Sequence, residues 1–208
     1  LHFETSCFST FNSNTFIMIN QSDDFHALAT KILNGATLLY PTDTIWGLGC
    51  SAVNPAAIEK IYQIKQRDHA KSMLILVADT TMLLRFVPHP AAEALDLLLQ
   101  PGRPTTVIFP AARNLPDNLL AADGSIGIRI PRHTFCQQLL HAMGEPLVST
   151  SANFSGMPSP TRYADIDPEL FRCVDVAIPS RPEDESDQTT GSRIVKLTTE
   201  GQIQIIRP

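Results

Sequence analysis

The run "ATLLYPTDTIWGLG", Ala36–Gly49, sets two extended segments on either side of a polar turn. Ala36 to Tyr40 is apolar and reads as a buried strand; Ile45 to Ala52 reads as extended again. Between them sit Pro41, Thr42, Asp43 and Thr44, and the second segment brings Trp46, Gly47 and Gly49. A strand that only filled a core would not need that mixture of hydroxyls, carboxylate, indole and glycines. The spacing also bears on the fold, because strands only a few residues apart break a strict βαβ rhythm.

Upstream, Ser22 reads as the N-cap of a helix carrying Phe25, Leu28, Ala29, Ile32 and Leu33 at helical spacing and ended by Gly35. Downstream, Asn54-Pro55 opens a second helix, asparagine as cap and proline in the first turn, with Ile58, Ile61 and Tyr62 as its buried stripe. Met73 to Ala78 is a strand, and Asp79 caps a short helix after it. Pro90 starts a helix with Ala94, Leu95, Leu98 and Leu99 inward. Thr105 to Phe109 and Ile126 to Ile130 are extended, and Thr134 caps a helix through His141. Leu147 to Thr150, Val174 to Ile178, Ser192 to Leu197 and Gln202 to Ile206 complete the strands. The expected fold class is α/β of the α+β kind: one twisted, mixed parallel and antiparallel sheet with flanking helices. The segment "PSRPEDESDQTTG", 179–191, reads as an exposed loop rather than a domain linker, since too little chain follows to build a second domain.

The 208 residues and 22.8 kDa suit one domain, and an apolar fraction of 43% supplies a core. A net charge of −5 excludes a global basic field for nucleic acid. Cys7, Cys50, Cys136 and Cys173 form no C-x-x-C pair, which argues against zinc and for reduced thiols in a cytoplasmic protein. No apolar run reaches the roughly 20 residues of a membrane span. Residues 1–17 read as a disordered or non-native extension ahead of Met18, leaving 18–208 as a single domain.

Several polar stretches are too dense for ordinary turns. "KQRDHAKS", 65–72, places Lys65, Arg67 and Lys71 between a helix and a strand; taken alone, it reads as a solvated helix C-terminus, where cations favour the dipole. "DGSIGIRIPRH", 123–133, sets Arg129 on the face opposite Ile128 and Ile130, as an exposed strand arginine or a ligand. "STSANFSGMPSP", 149–160, offers hydroxyls, an amide and backbone N–H groups around an anion. "GSRIVKL", 191–197, and Arg207 follow. The phosphate-binding glycine motifs, G-x-S-x-G and H-E-x-x-H are all absent.

In this order, YPTDT-x-x-GLG, K-x-R-x-x-x-K, the G-x-R-x-P around Arg129 and S-x-S-A-N-x-S-G resemble the YrdC/Sua5 family, the threonylcarbamoyl-AMP synthases. The resemblance covers roughly Met18 to Pro208, in the short single-domain form. It implies the YrdC-like (YrdC/RibB) fold with one large concave face. It also implies a reaction in which L-threonine, bicarbonate or CO2 and ATP give threonylcarbamoyl-adenylate and pyrophosphate. A downstream enzyme then carries the threonylcarbamoyl group to A37 of tRNA. The carbamate is itself the oxygen nucleophile, so the site must align it and neutralise phosphate charge.

Carried over by position, the resemblance puts Thr44, Arg129, Ser151 and Ser192 on L-threonine, with Arg129 on its carboxylate. It puts Lys65, Arg67 and Lys71 at the ATP phosphates as the catalytic cations. Ser125, Ser149, Asn153, Ser159 and Arg207 fall on the nucleotide side. Mg²⁺ is expected with the triphosphate, with no protein-held metal and no tightly bound organic cofactor. The chain departs from the family pattern at Ser192-Arg193, where Ser-Thr is frequent, in "PGRPTT" (101–106), at Lys71-Ser72 and at Leu76. Two other readings stay open: a double-stranded RNA or tRNA-binding module, and a paralogue that adenylates another carbamate.

Overall fold

The computed structural model describes residues 15–16, 22–69, 72–181, 184, 190–198 and 202–208. The opening run forms an antiparallel pair, β2 (Leu38–Tyr40) and β3 (Gly47–Gly49), with Leu38 opposite Gly49 and Tyr40 opposite Gly47. Gly47 and Gly49 share the face of the Tyr40 ring, and a Cβ on either would stand 3.0–3.1 Å from that ring. At Gly49 a Cβ would also lie 2.0 Å from the Val148 carbonyl oxygen on the next strand. These two glycines are what let three strands and a buried tyrosine share one place.

Around that pair the sheet grows to ten strands in the order β1-β8-β2-β3-β7-β4-β6-β5-β9-β10. The others are β1 (Thr15–Phe16), β4 (Leu74–Leu76), β5 (Thr105–Phe109), β6 (Ile126–Arg129), β7 (Leu147–Ser151), β8 (Val176–Ala177), β9 (Arg193–Leu197) and β10 (Ile203–Arg207). β2–β8, β1–β8, β4–β6 and β5–β9 pair in parallel; β2–β3, β3–β7, β4–β7, β5–β6 and β9–β10 pair antiparallel. This is the mixed sheet expected from the strand spacing.

Among the described residues six α-helices flank it: α1 (Ser22–Leu33), α2 (Pro55–Lys65), α3 (Thr80–Leu84), α4 (Ala92–Leu99), α5 (Thr134–Met143) and α6 (Pro168–Cys173). α1 packs on α5, and α4 packs on β5. Asn54 Oδ1 accepts from Ala57 N at 3.1 Å and Asp79 Oδ1 from Met82 N at 2.8 Å, so both sequence-read caps satisfy otherwise orphaned helix N–H groups.

Some expectations are corrected. Leu99 is 56% exposed rather than inward: it is the last residue of α4, whose buried residues are Ala94 and Leu98. Leu33 likewise sits at the solvent edge of α1. His133, not Thr134, holds the N-cap position of α5, and its side chain makes no capping bond. Helix α6 was missed, although Asp167-Pro168 carries a start signal and Asp167 Oδ1 accepts from Glu169 N at 2.9 Å. Of the 179–191 segment, residues 182–183 and 185–189 lie outside the described residues. Asp184, read as exposed, is buried with its carboxylate 3.3 Å from His133 Nε2. Of residues 1–17, only Thr15 and Phe16 are described, paired with Val176 and Ala177.

Candidate functional site

One face of the sheet forms the floor of a cleft of about 330 Å³, within the range of small-ligand sites. The floor follows from strand alternation. Ser125, Gly127 and Arg129 point to it from the β6 segment, Thr106 and Ile108 from β5, Ser192, Ile194 and Lys196 from the β9 segment, and Ser149 and Ser151 from β7. Most are small or hydroxylated, so the sheet itself becomes a concave polar surface. Gly127 contributes by absence: a Cβ there would meet Leu74 and the Thr106 methyl at 3.2 Å.

At one end the Pro41–Ile45 turn meets Arg129. Arg129 is 3% exposed, which overturns its reading as a solvent-facing strand arginine. Its Nη1 donates to Thr44 Oγ1 at 2.9 Å, and its Nη2 lies 3.6 Å from Asp43 Oδ1. Its Nε is buried without a partner among the described residues. The hydroxyl protons in the turn can be assigned. Thr42 donates its single proton to the Ile45 carbonyl at 2.7 Å, so the 3.0 Å bond between Thr42 and Thr44 is donated by Thr44. Thr44 has then used its proton and accepts from Arg129, which leaves its oxygen able only to accept from a ligand. The turn therefore presents a guanidinium donor beside a hydroxyl acceptor, matching the carboxylate and the amine of an amino acid.

The opposite wall is Arg67, just past α2. Gln66 adopts a left-handed conformation (φ 50°), which stops the helix and turns the chain so that Arg67 lines the cleft. Arg67 Nη2 donates to Ser72 O at 2.9 Å, and burial lowers its pKa below the usual guanidinium value. Arg207, from the last strand, donates through Nε and Nη2 to Ser192 O at 2.8 and 2.6 Å and closes the third side. Thr106 and Ser192 hydroxyls are bonded at 2.8 Å. No aspartate or glutamate lines the cleft among the described residues, so a site dominated by cations sits in an acidic chain.

A family model for Sua5, YciO and YrdC proteins, described as "Telomere recombination", matches residues 30–208. The chain belongs to the Sua5/YciO/YrdC family. The threonylcarbamoyl-AMP synthase of Stenotrophomonas maltophilia is 35% identical over 144 residues, which cover 68% of this chain and 77% of that one. The Bos taurus threonylcarbamoyl-AMP synthase is 31% identical over 190 residues, covering 90% of this chain and 68% of that one. Among solved structures, P. abyssi Sua5 complexed with L-threonine superposes with a TM-score of 0.81 at 24% identity. That match covers 94% of this chain, which spans 56% of the Sua5 chain. E. coli YciO superposes with a TM-score of 0.75 at 23% identity, covering 94% and 95% of the two chains. The two superpositions establish the Sua5/YciO fold.

Of the positions singled out in the sequence, Thr44, Arg67, Ser125, Arg129, Ser149, Ser151, Ser159, Ser192 and Arg207 all line the cleft of this Sua5/YciO/YrdC chain. Lys71 lies outside the described residues. Lys65 is 1% exposed and is not among the residues that line the cleft. Its ammonium donates to Ser151 O and Asn153 O, both at 2.6 Å, and to Asn153 Oδ1 at 3.2 Å. Burial and the nearby Arg67 push its pKa down to about 7, against the pull of those three acceptors, whose arrangement is that of the charged form. Asn153 stands with it behind the wall, accepting from Ser151 Oγ and donating to Met157 O. Lys65 thus ties the 151–157 loop to the end of α2.

Lys65→Met should release that loop while leaving α2 in place. Removing three charge-assisted bonds of about 1.5–3 kcal/mol each should speed amide exchange at Asn153 and Met157 by about a hundredfold or more, read by hydrogen–deuterium exchange. Unchanged exchange there would show that Lys65 does not hold the loop.

Sequence reading passed over Lys196, Thr106, Ser72 and the floor glycines. The signal for Lys196 was present, since it keeps the parity of Ser192 and Ile194 along β9. Its ammonium lies 3.0 Å from Asp123 Oδ2 at the cleft edge. Ser125 and Lys196 together hold the Asp123 carboxyl well below the usual carboxylate range.

Proposed function

We propose that this chain is an L-threonylcarbamoyladenylate synthase, a nucleotidyltransferase that joins threonine, bicarbonate-derived CO2 and ATP and releases pyrophosphate. The observation that carries the reading is the pairing of Arg129 with Thr44 at one end of a cleft whose charged lining residues, among the described residues, are all cations. A buried guanidinium with an unpartnered Nε costs free energy until a carboxylate meets it. The threonine carboxylate takes Arg129, and its amine, or the carbamate N–H that replaces it, donates to Thr44. Ser151 and Ser192 border the same end.

The neutral amine adds to CO2 and loses one proton to water, giving a carbamate, whose oxygen attacks the α-phosphorus as the bridging bond to the β-phosphate breaks and pyrophosphate leaves with the electron pair. No protein nucleophile enters. The protein supplies alignment and positive charge. Arg67 meets the phosphates, and the family motif gives Lys71 the same task; Ser125, Ser149, Ser159 and Arg207 serve the nucleotide. Lys65 and Asn153 act one step back, by fixing Ser151 and its loop. Mg²⁺ enters with the triphosphate as part of the substrate. Among the described residues no three histidine, cysteine, aspartate or glutamate side chains gather as a metal site, and no helix is long and apolar enough to cross a membrane. We place the enzyme in the cytoplasm, upstream of a tRNA-modifying transferase that consumes its adenylate.

The test is pyrophosphate release from MgATP, with threonine and bicarbonate omitted in turn. Release that requires both, and that prefers threonine over serine, supports the reading. No release, or release with neither co-substrate, overturns it in favour of RNA binding or another carbamate. Arg67→Ala is expected to lower kcat/KM for ATP by about a hundredfold, the loss of one buried charge-assisted phosphate contact worth roughly 2–3 kcal/mol. Near-normal turnover would remove Arg67 from the phosphates.

A further inference from the structure

Lys196 stands in the cleft without a part in the reaction as derived so far. It is half-exposed, at 35%, and its partner among the described residues, Asp123, is 55% exposed. A salt bridge so open to solvent contributes little to stability. Its geometry is nonetheless fixed from both sides. Asp123 Oδ1 accepts from Ser125 N at 3.0 Å while Oδ2 accepts from Lys196 at 3.0 Å. The carboxylate thereby holds Lys196 beside Ser125, at the edge of the floor.

The sheet register locates the lysine relative to the amino-acid end. Lys196 pairs with Ile108 of β5, and Ile108 pairs with Gly127 of β6, two residues before Arg129. Two strand spacings across and two residues along put the Lys196 and Arg129 backbones about 12 Å apart. A carboxylate on Arg129 leaves the carbamate and then the α-phosphate in between. The lysine's flexible four-carbon stem bridges the remainder.

We infer that Lys196 is a phosphate-binding residue that leaves Asp123 to meet the β- and γ-phosphates of ATP and then the departing pyrophosphate. Asp123 is its positioning residue, a placeholder anion that keeps the ammonium aimed along the floor and yields to a more highly charged ligand. The exchange is cheap because the pair is solvated, whereas a triphosphate in a cleft bordered by Arg67 and Arg207 accepts the lysine with several oxygens. The inference deepens the synthase reading and rests on it for the orientation of the substrate.

The experiment measures binding of inorganic tripolyphosphate, MgATP and AMP by calorimetry, without turnover. Lys196→Met is expected to weaken tripolyphosphate and MgATP about tenfold, the loss of one charge-assisted contact, and to leave AMP within twofold. Lys196→Arg should restore most of the loss. Asp123→Asn keeps an oxygen for Ser125 N but removes the competing charge, so it should tighten tripolyphosphate.

Opposite signs for the two substitutions separate a ligand-binding lysine from a structural ion pair, whose loss from either side would act in the same direction. The inference is overturned if wild type does not bind tripolyphosphate, or if Lys196→Met binds it like wild type. It is equally overturned if AMP weakens as much as MgATP, or if Asp123→Asn weakens tripolyphosphate. Since no turnover is read, failure of the threonine- and bicarbonate-dependent assay would strike the synthase reading and leave this result standing.

Discussion

Arg129→Ala should raise the threonine requirement by about a hundredfold or more, with ATP affinity close to wild type. Truncating one member of a buried, hydrogen-bonded charge pair typically costs 2–5 kcal/mol of binding, which is roughly 30- to 5,000-fold. Three consequences add up at this position. The carboxylate loses its fork, the Thr44 hydroxyl loses the donor that orients it at 2.9 Å, and Asp43 Oδ1 loses the guanidinium 3.6 Å away. The last of these also lowers stability, by an expected ~3 kcal/mol, so threonine must be titrated calorimetrically into folded protein. Arg129→Lys retains charge without planar geometry and should fall between the two. Threonine affinity within threefold of wild type in Arg129→Ala would show that the amino acid lies elsewhere in the cleft.

Gly49→Ala carries the largest expected effect on the fold. Its new methyl would lie 2.0 Å from a backbone oxygen of β7, and 3.1 Å from the Tyr40 ring on the other strand. Backbone on a central strand cannot step aside as a flexible side chain can, so the loss should reach at least the ~3 kcal/mol at the top of the overpacking range. For a chain of this size that is a fall of roughly 6–12 °C in Tm, measured by calorimetric or circular-dichroism melting. A shift of under about 2 °C would mean that the β3–β7 register is not the one described. Gly47→Ala would meet side chains rather than backbone as its nearest neighbours, the Tyr40 ring and the Thr42 methyl at 3.0–3.2 Å. Its penalty should be smaller in Tm and greater in ligand affinity, because Gly47 lines the cleft.

Features governed by neighbouring residues were legible in the sequence. Asn54-Pro55 and Asp79 cap their helices because a side-chain oxygen needs only the next turn, and β5 keeps the bounds Thr105–Phe109 that its apolar pattern predicts. The mixed sheet was legible from strand spacing, though which strands adjoin was not, since pairing is set by partners far along the chain. The cleft was legible as residue types and not as positions. Lys65 shows why. Read with Arg67, it belonged to a cationic cluster; read along α2, it continues Ile58, Ile61 and Tyr62 at helical spacing, and this buried stripe decides its direction. Arg67 escapes because Gln66 breaks the helix first. Leu99 failed in another way: the stripe read from periodicity was wider than the buried face, which holds Ala94 and Leu98.

The bonds that build the cleft span long stretches of chain. Thr44 and Arg129 are separated by 85 residues, Lys65 and Ser151 by 86, and Thr106 and Ser192 by 86. Closing such loops precedes any gain from the contacts they make, so a site of this kind forms late and folding is slow for the chain's size. Arg207, in the last strand, holds the Ser192 carbonyl. On the ribosome, then, the helices and the β2–β3 pair can take shape early, but the binding cleft has no third side until residue 207 has emerged. A nascent chain stalled before that point would present an open polar trough rather than a partially active enzyme.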